Sequence, residues 1–469
     1  MSTESVNRVS GLTLKLIAGP ALAGILFIFF RDSLSESAAL TASITAWCVL
    51  WWITEPVPIP VTSLIPLSLF PLLGVLDPSQ VAQAYGSPLI LLMLGGFILS
   101  RGMESTGTHQ RLAIYMVNAC GRIVGKQTDR SLVVGFMLAS AVLSMWISNT
   151  ATVLMLLPIA LAILEKSDNP KLPLALMLGI AYAANVGGMG TPVGTPPNLV
   201  FMQIYTDFTG KSMGFVQWMM VAVPVVIIFL PFIAWWLTRR VNLQQGKPLE
   251  LPSVGEWRPA EKRVLIVFAC TALAWITRGE PFGGWSELLG LQQANDAGVA
   301  LVGAISLFVV SDGKGGRLLE WDQASKIPWG ILLLFAGGIC IAKAFAVSGL
   351  SVVLGGVLDG LAVLPVFIML LVLTLAVSFM TESTSNTATT VLLMPILAAA
   401  ALAAKLDPQM LMIPAALSAS CAFMLPVATA PNAIIFGSGK VQSIDMFRTG
   451  FLLNIVGALI ITMVCYWLL

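Results

Sequence analysis

Apolar stretches follow one another along nearly the whole chain, many of them roughly 17–25 residues long and so able to cross a ~30 Å hydrocarbon layer. Hydropathy and breakers predict spans near 14–30, 38–53, 61–76, 87–103, 173–205, 216–238, 263–277, 296–310, 329–346, 409–439 and 449–469. Those at 173–205 and 409–439 are too long and too interrupted by Gly and Pro to be continuous helices. Two more apolar regions, 131–164 and 363–403, carry the same polar word at their middle: Ser148-Asn149-Thr150-Ala151-Thr152 and Ser385-Asn386-Thr387-Ala388-Thr389. Each half of these regions is only about 13–18 residues, short for a full crossing. A helix, a tight polar tip and a returning helix make a re-entrant hairpin, which does not change sides. The pattern therefore predicts an all-α polytopic membrane protein with about 11 transmembrane helices and two re-entrant helical hairpins.

Composition agrees: 57% of the 469 residues are hydrophobic and 10% charged, and mean hydropathy is +0.90, far from a soluble profile. A net charge of +2 says little, because in a membrane protein the placement of charge matters. With the N-terminus inside and 11 crossings, 20 of the 25 Lys and Arg fall on cytoplasmic segments, leaving only Arg31, Lys211, Arg278, Lys343 and Lys405. An even crossing count would destroy that asymmetry. Arg8 and Lys15 precede a long first span without a convincing cleavage site, so a first transmembrane helix is expected there, not a removable signal. The six cysteines (Cys48, Cys120, Cys270, Cys340, Cys421, Cys465) are scattered with no CxxC pair and read as small core residues. The single histidine, His109, sits in a polar connection, which rules out a His-rich metal site and disfavours a histidine proton relay.

More than the pentapeptide recurs. Pro88 to Gly96 matches Gly330 to Gly338 at offset 242, the pentapeptide follows at 237, and Pro192-Val-Gly-Thr-Pro-Pro-Asn198 matches Pro426-Val-Ala-Thr-Ala-Pro-Asn432 at 234. Three motifs in one order with a slowly drifting offset imply duplication of a unit of roughly 240 residues. Five crossings separate equivalent motifs, so the halves have opposite orientation. Inverted repeats with matched, interrupted apolar segments mark the binding site of alternating-access carriers. Ser-Asn-Thr is also an ordinary helix-cap triplet; it is the register with two other repeated motifs that favours the functional reading.

A hairpin tip of this composition has useful chemistry. The returning helix begins there, with free backbone N–H groups and its positive dipole end. Asn offers an amide donor and acceptor, and Ser and Thr offer hydroxyls that do either. Such a tip can hold a carboxylate, while hydroxyl and carbonyl oxygens coordinate a hard monovalent cation. In Gly187 to Asn198 the prolines remove amide donors and the glycines permit close approach, freeing carbonyls as cation ligands, with hydroxyls from Thr195 and Thr429. No Lys or Arg occurs at either tip or break, so an anion there is countered by helix ends and co-bound cations, which is the logic of coupled symport. Glu382, three residues before the second tip, is functional by default at that depth, but its repeat partner is Met145, so it stands outside the symmetric design. Glu55, ahead of Pro56-Val-Pro-Ile-Pro60, reads as part of an interfacial turn.

At these residues the sequence resembles the divalent anion:sodium symporter family, the INDY-type di- and tricarboxylate carriers, from about residue 40 to the C-terminus. The carriers of the resemblance are the paired Ser-Asn-Thr motifs, Gly-Thr-Pro-Pro-Asn and Ala-Thr-Ala-Pro-Asn. It implies a homodimer working by an elevator mechanism, with scaffold parts at 1–125 and 241–360 and transport-domain parts at 126–240 and 361–469. It implies one sodium site at Ser144, Ser148, Asn149 and Gly194 and a second at Thr381, Thr384, Asn386 and Ala428. The substrate carboxylates are then expected at Asn149, Thr150, Asn386 and Thr387, with Thr195 and Thr429 alongside.

These readings lead to a secondary active transporter taking up C4-dicarboxylates with co-transported Na+, two or more ions, in a bacterial inner membrane. The alternative within the class is a dicarboxylate exchanger or a sulfate or citrate carrier. The expected partners are a small dicarboxylate, sodium ions, the lipid bilayer and a second copy of the chain, with no nucleic acid. An enzyme finds no support, since HExxH, nucleophile-elbow and Walker motifs are all missing. The missing Walker motif also argues against an ATP-driven pump, and the inverted repeat favours a carrier over a channel.

Overall fold

The computed structural model describes residues 3–123, 128–239, 241, 255–279, 284–291, 293–351, 353 and 365–469. Lys126, Arg240 and Lys247 of the basic segments lie outside the described residues, as do positions 363–364 of the second hairpin and the side chains of Arg8, Cys120 and Arg122. The described residues are helical, apart from turns and one isolated bridge between Ser311 and Arg317.

Helices α1 (Thr3–Phe30) and α2 (Glu36–Thr54) pack as a pair. The short α3 (Ile59–Thr62) and α4 (Leu64–Leu72) meet at Ser63, and α5 (Pro78–Tyr85) leads into α6 (Pro88–Thr106). The amphipathic α7 (Thr108–Ile123) follows, then a helical hairpin of α8 (Asp129–Ser144) and α9 (Asn149–Leu164). Helices α10 (Leu172–Gly188) and α11 (Pro196–Thr209) are two halves of one interrupted span, and α12 (Phe215–Thr238) ends the first half of the chain. The second half runs through α13 (Pro259–Ile276), α14 (Trp285–Leu288), α15 (Asp296–Val309), α16 (Trp321–Ala324) and α17 (Trp329–Val347). A second hairpin of α18 (Val366–Met380) and α19 (Asn386–Ala403) precedes another interrupted span, α20 (Pro408–Ser418) and α21 (Ala430–Gly437), and the last helix, α22 (Ser443–Leu468).

Both expected hairpins and both expected interruptions are present. Seven helices among the described residues are long and apolar enough to cross a membrane, α19 included. The spans expected at 61–76 and 296–310 are shorter helices, and the one at 263–277 begins with Glu261, Lys262 and Arg263 on its first turn.

Local chemistry sets the boundaries. Ser35 caps α2 through the Ala38 N–H, and Ser87 caps α6 ahead of Pro88, whose missing N–H costs nothing at a first helical position. Gly107, at φ 73°, ends α6 in a left-handed turn that a side chain would strain. Arg111 on α7 pairs with Glu261 at 3.1 Å, and Arg258 with the same carboxylate at 2.7 Å, fastening α7 to the start of α13.

Two groups of helices emerge from the packing. In one, α10 is buried along almost its whole length against α8, α9, α12 and α21, while α19 and α20 pack on α11 and α18 packs on α22. In the other, α6 packs on α13 and α15, and α17 packs on α4 and α5. The repeated helices α6 and α17 each take a partner from the opposite repeat, through glycines 242 residues apart: Gly95 abuts Ala300, and Gly337 abuts Ser63. Outward faces are apolar, as with Leu14, Ile25 and Phe29 on α1 or Ile227 and Ile228 on α12, which suits a lipid environment in which no polar face is needed. Cys48, Cys340, Cys421 and Cys465 are buried as expected, but Cys270 is exposed on α13, so the core reading of that cysteine is corrected.

Candidate substrate and cation site

The two tips are built alike. At the first, Ser148 caps α9 by accepting the Ala151 N–H at 3.2 Å, which leaves Asn149 and Thr150 on the opening turn. Asn149 Oδ1 accepts the Ser144 hydroxyl at 2.5 Å, back across the tip. At the second, Asn386 Oδ1 accepts the Thr381 hydroxyl at 2.8 Å over the same five-residue step. Thr381 and Ser144 are fully buried, so they brace the asparagine amides from behind. Thr384 and Thr389 share a hydroxyl–hydroxyl contact of 2.5 Å beside the second tip.

The two breaks are also built alike, by a device the motif reading left unassigned. Where α10 ends, carbonyls of its last turn lose their helical donors. Asn198 supplies replacements, donating from Nδ2 to Gly188 O at 3.0 Å and Thr191 O at 2.8 Å. Its repeat mate Asn432 donates to Ala422 O at 3.0 Å and Leu425 O at 3.1 Å, the same two positions displaced by 234 residues. Both asparagines open a half-helix, so each fixes a break and the start of the helix after it. The first break is closely packed: a Cβ on Gly188 would sit 2.6 Å from the Asn149 side-chain oxygen, and glycine is required at Gly194, where a Cβ would meet the Gly188 backbone carbonyl at 2.4 Å.

Asymmetry is concentrated at the second break. The Glu382 carboxylate accepts the backbone N–H groups of Phe423 (2.6 Å), Met424 (2.9 Å) and Leu425 (3.0 Å), and the Asn454 amide at 2.7 Å. Tyr182 donates to Phe423 O at 2.6 Å. Asn185, on α10, donates to the Thr429 hydroxyl at 3.3 Å, and Thr429 also accepts the Asn432 N–H at 3.2 Å. Thr429 thus has two donors pointed at its oxygen, which leaves its own proton to give away.

Tips and breaks come together. Asn149, Thr150, Thr195, Asn386, Thr387 and Thr429 all line one cavity of about 540 Å³, as do Ser148, Gly194, Thr384 and Ala428. Ser144 and Thr381 stand one layer behind it. Glu382 is not on its wall; it serves the backbone of the break. Sequence reasoning missed Asn185, Trp146 and Glu55, which also line the cavity. Glu55 belongs to a turn as expected, holding φ 44° at the end of α2, but that turn faces the cavity. Trp146 stacks at 6.5 Å on Trp275 of α13, so the first tip leans on the other helix group, and at 6.0 Å on Phe215 of its own group. A tryptophan inside a polar tip was the available signal.

An all-helical membrane protein with two hairpin tips and two broken helices around one cavity is a transporter, not an enzyme. The citrate transporter family model (CitMHS) matches residues 49–411, and the chain belongs to that family. It is similar to the sodium-dependent dicarboxylate transporter SdcS of Staphylococcus saprophyticus, with 38% identity covering 99% of this chain and 93% of that protein. The SdcS of Staphylococcus aureus is also 38% identical, covering 98% of this chain and 92% of its own. Among solved structures, the Alcanivorax borkumensis YdaH transporter, described as having an unusual topology, matches with TM-score 0.57 at 13% identity, covering 85% of this chain and 88% of that one. That likeness bears on the fold alone.

Proposed function

We propose that the protein takes up C4-dicarboxylates such as succinate, malate and fumarate together with sodium ions. The single observation that carries this reading is the convergence of both Ser-Asn-Thr tips and both breaks on one cavity that, among the described residues, has no Lys or Arg on its wall and a single carboxylate, Glu55. A dianion there finds the N-terminal ends of α9 and α19 and the amides and hydroxyls of Asn149, Thr150, Asn386, Thr387, Thr195 and Thr429. Half-helix ends and neutral donors leave most of its charge uncompensated. Cations bound beside it supply the rest, one at Ser144, Ser148, Asn149 and Gly194 and another at Thr381, Thr384, Asn386 and Ala428. Anion affinity then depends on sodium, which is coupling in its simplest form. The names carried by the staphylococcal relatives support the same substrate and ion.

The packing supports a division of labour, with α7, which packs chiefly on α8, at the seam. Segments 1–125 and 241–360 form a scaffold, and 126–240 and 361–469 form a transport domain that slides as an elevator with the cavity between them. The repeats have inverted topology, the N-terminus is cytoplasmic and the C-terminus outside, and the working unit is a homodimer in a bacterial plasma membrane. Uptake of labelled succinate into proteoliposomes tests the proposal: an inward sodium gradient raises it steeply and choline does not. Sodium-independent uptake that survives Asn149→Ala sinks it. The family model's name keeps citrate in view, and competition by citrate, sulfate and glutamate ranks the substrates.

A further inference from the structure

A second cavity, of about 490 Å³, lies between the first turn of α10, the last turn of α12 and the first turns of α22. Its wall carries Lys171, Arg239, Arg448, the Thr449 hydroxyl and Trp236, and among the described residues no carboxylate. Among the described residues neither Lys171 nor Arg448 enters an ion pair, although Asp445 is only one turn from Arg448, and Asp129 is taken by the Asn169 amide at 2.6 Å. The Arg239 guanidinium lies over the Trp236 ring, with Arg130 donating to Thr238 O at 3.1 Å and Val241 O at 3.3 Å to fix the end of α12. The 17-residue α10 adds the positive end of its dipole. The like charges of Lys171 and Arg448 facing one concave space repel one another unless an anion fills it.

The place says which kind of anion. Helices α12 and α22 are both long enough to cross a bilayer, and the cavity sits where one ends and the other begins, hence at a membrane surface. Tryptophan beside basic residues is the side-chain pairing of that layer, and basic pockets between transmembrane helices accept lipid head groups. The substrate cavity is at the other end of α10, roughly 25 Å away at 1.5 Å per residue.

We propose that Lys171, Arg239 and Arg448 form a binding site for a phosphate ester anion, the head group of an anionic phospholipid, distinct from the transport site. The head group bridges α10, α12 and α22 and so ties the broken helix to its neighbours at the membrane surface. The test follows the thermal midpoint of the full chain in mixed micelles as phosphatidylglycerol replaces phosphatidylcholine. A saturable rise is expected, with the half-saturating lipid fraction raised at least tenfold in Lys171→Gln/Arg448→Gln. The control Lys262→Gln/Lys314→Gln removes the same charge from exposed positions elsewhere and keeps the wild-type response. If the first double variant cannot be purified, each single substitution weakens the response severalfold. Inorganic phosphate is the second arm: no effect at millimolar concentration assigns the site to lipid. A phosphate response lost in Lys171→Gln/Arg448→Gln assigns the same residues to a free anion and overturns the lipid. Equal responses of the two double variants overturn the site altogether.

Discussion

Glu382 Oε1 accepts the Phe423 amide N–H at 2.6 Å, and through that contact an acidic side chain next to one hairpin tip holds the broken helix opposite it. With Met424, Leu425 and Asn454 it satisfies four donors that lie in protein at bilayer depth, where no water replaces a lost acceptor. Removing the acceptor from buried donors costs about 1–3 kcal/mol for each group left unmade. Glu382→Ala is therefore expected to lower stability by several such steps, read as loss of the folded fraction in detergent. Glu382→Gln keeps one acceptor oxygen and turns an N–H2 toward the Leu425 N–H, for a loss of about 1–3 kcal/mol. Its sodium half-saturation, normalised to folded protein, stays within about twofold of wild type. A large sodium shift at intact stability would make Glu382 a cation ligand.

The bond from Thr381 to Asn386 makes a different prediction, because it braces an amide that faces the cavity. Thr381→Val keeps the shape and removes the hydroxyl, whose single proton is shared between Asn386 Oδ1 and Ala419 O, the latter at 2.9 Å. A hydrogen bond of about 1–1.5 kcal/mol corresponds to a change of about tenfold in affinity. The sodium half-saturation is expected to rise by about that factor, with Thr381→Ser restoring it. Ser144→Ala is expected to behave likewise at the first tip. Unchanged sodium dependence in both variants would show that the braces serve folding only.

The hairpins, the breaks and the cavity-lining threonines were legible because a polar word inside an apolar run has few physical explanations, and a duplicated one has fewer. Asn198 and Asn432 stood in the quoted motifs, yet their use could not be read, since an asparagine closing a break and one facing a ligand have the same spelling. Glu382 was legible as special and not as a backbone cap, because its backbone partners are 41–43 residues away and are amide N–H groups, which nearly every residue has. Asn185 was hidden by its repeat position: its mate is Ala419, so symmetry gave no reason to look there. Cys270 failed as a core residue for a general reason. In lipid an apolar run has no obligatory inner face, so hydropathy locates a helix and not its buried side.

Adjacent glycines at the end of α10 separate stability from binding. A Cβ on Gly187 would lie 2.2 Å from Ala141 O, part of the α8 backbone, which cannot step aside. Gly187→Ala is expected to cost about 1–3 kcal/mol and to lower the melting temperature. A Cβ on Gly188 meets the movable Asn149 amide instead. Gly188→Ala is expected to leave the melting temperature nearly unchanged while sodium-driven succinate uptake falls about tenfold or more, the loss that follows when one buried hydrogen-bonded ligand group is displaced. Equal losses of stability in the two variants would refute the distinction.

His109 gives a pH test free of competing histidines, since it is the only one in the chain. It lies on α7, buried, with Nδ1 at 2.9 Å from Met103 O. Burial holds its pKa below the usual histidine range, against a smaller opposing pull from that carbonyl and from Glu104. The unfolded chain accepts a proton at higher pH than the folded one, so stability is full above the ordinary histidine pKa and declines as pH falls below it. Melting temperature in detergent is expected to drop between pH 7.5 and 5.5, a window above the titration of ordinary carboxylates. His109→Gln flattens that drop, because the substituted side chain has no proton to gain. A drop that persists unchanged in His109→Gln would assign it to other groups and overturn the role given to His109.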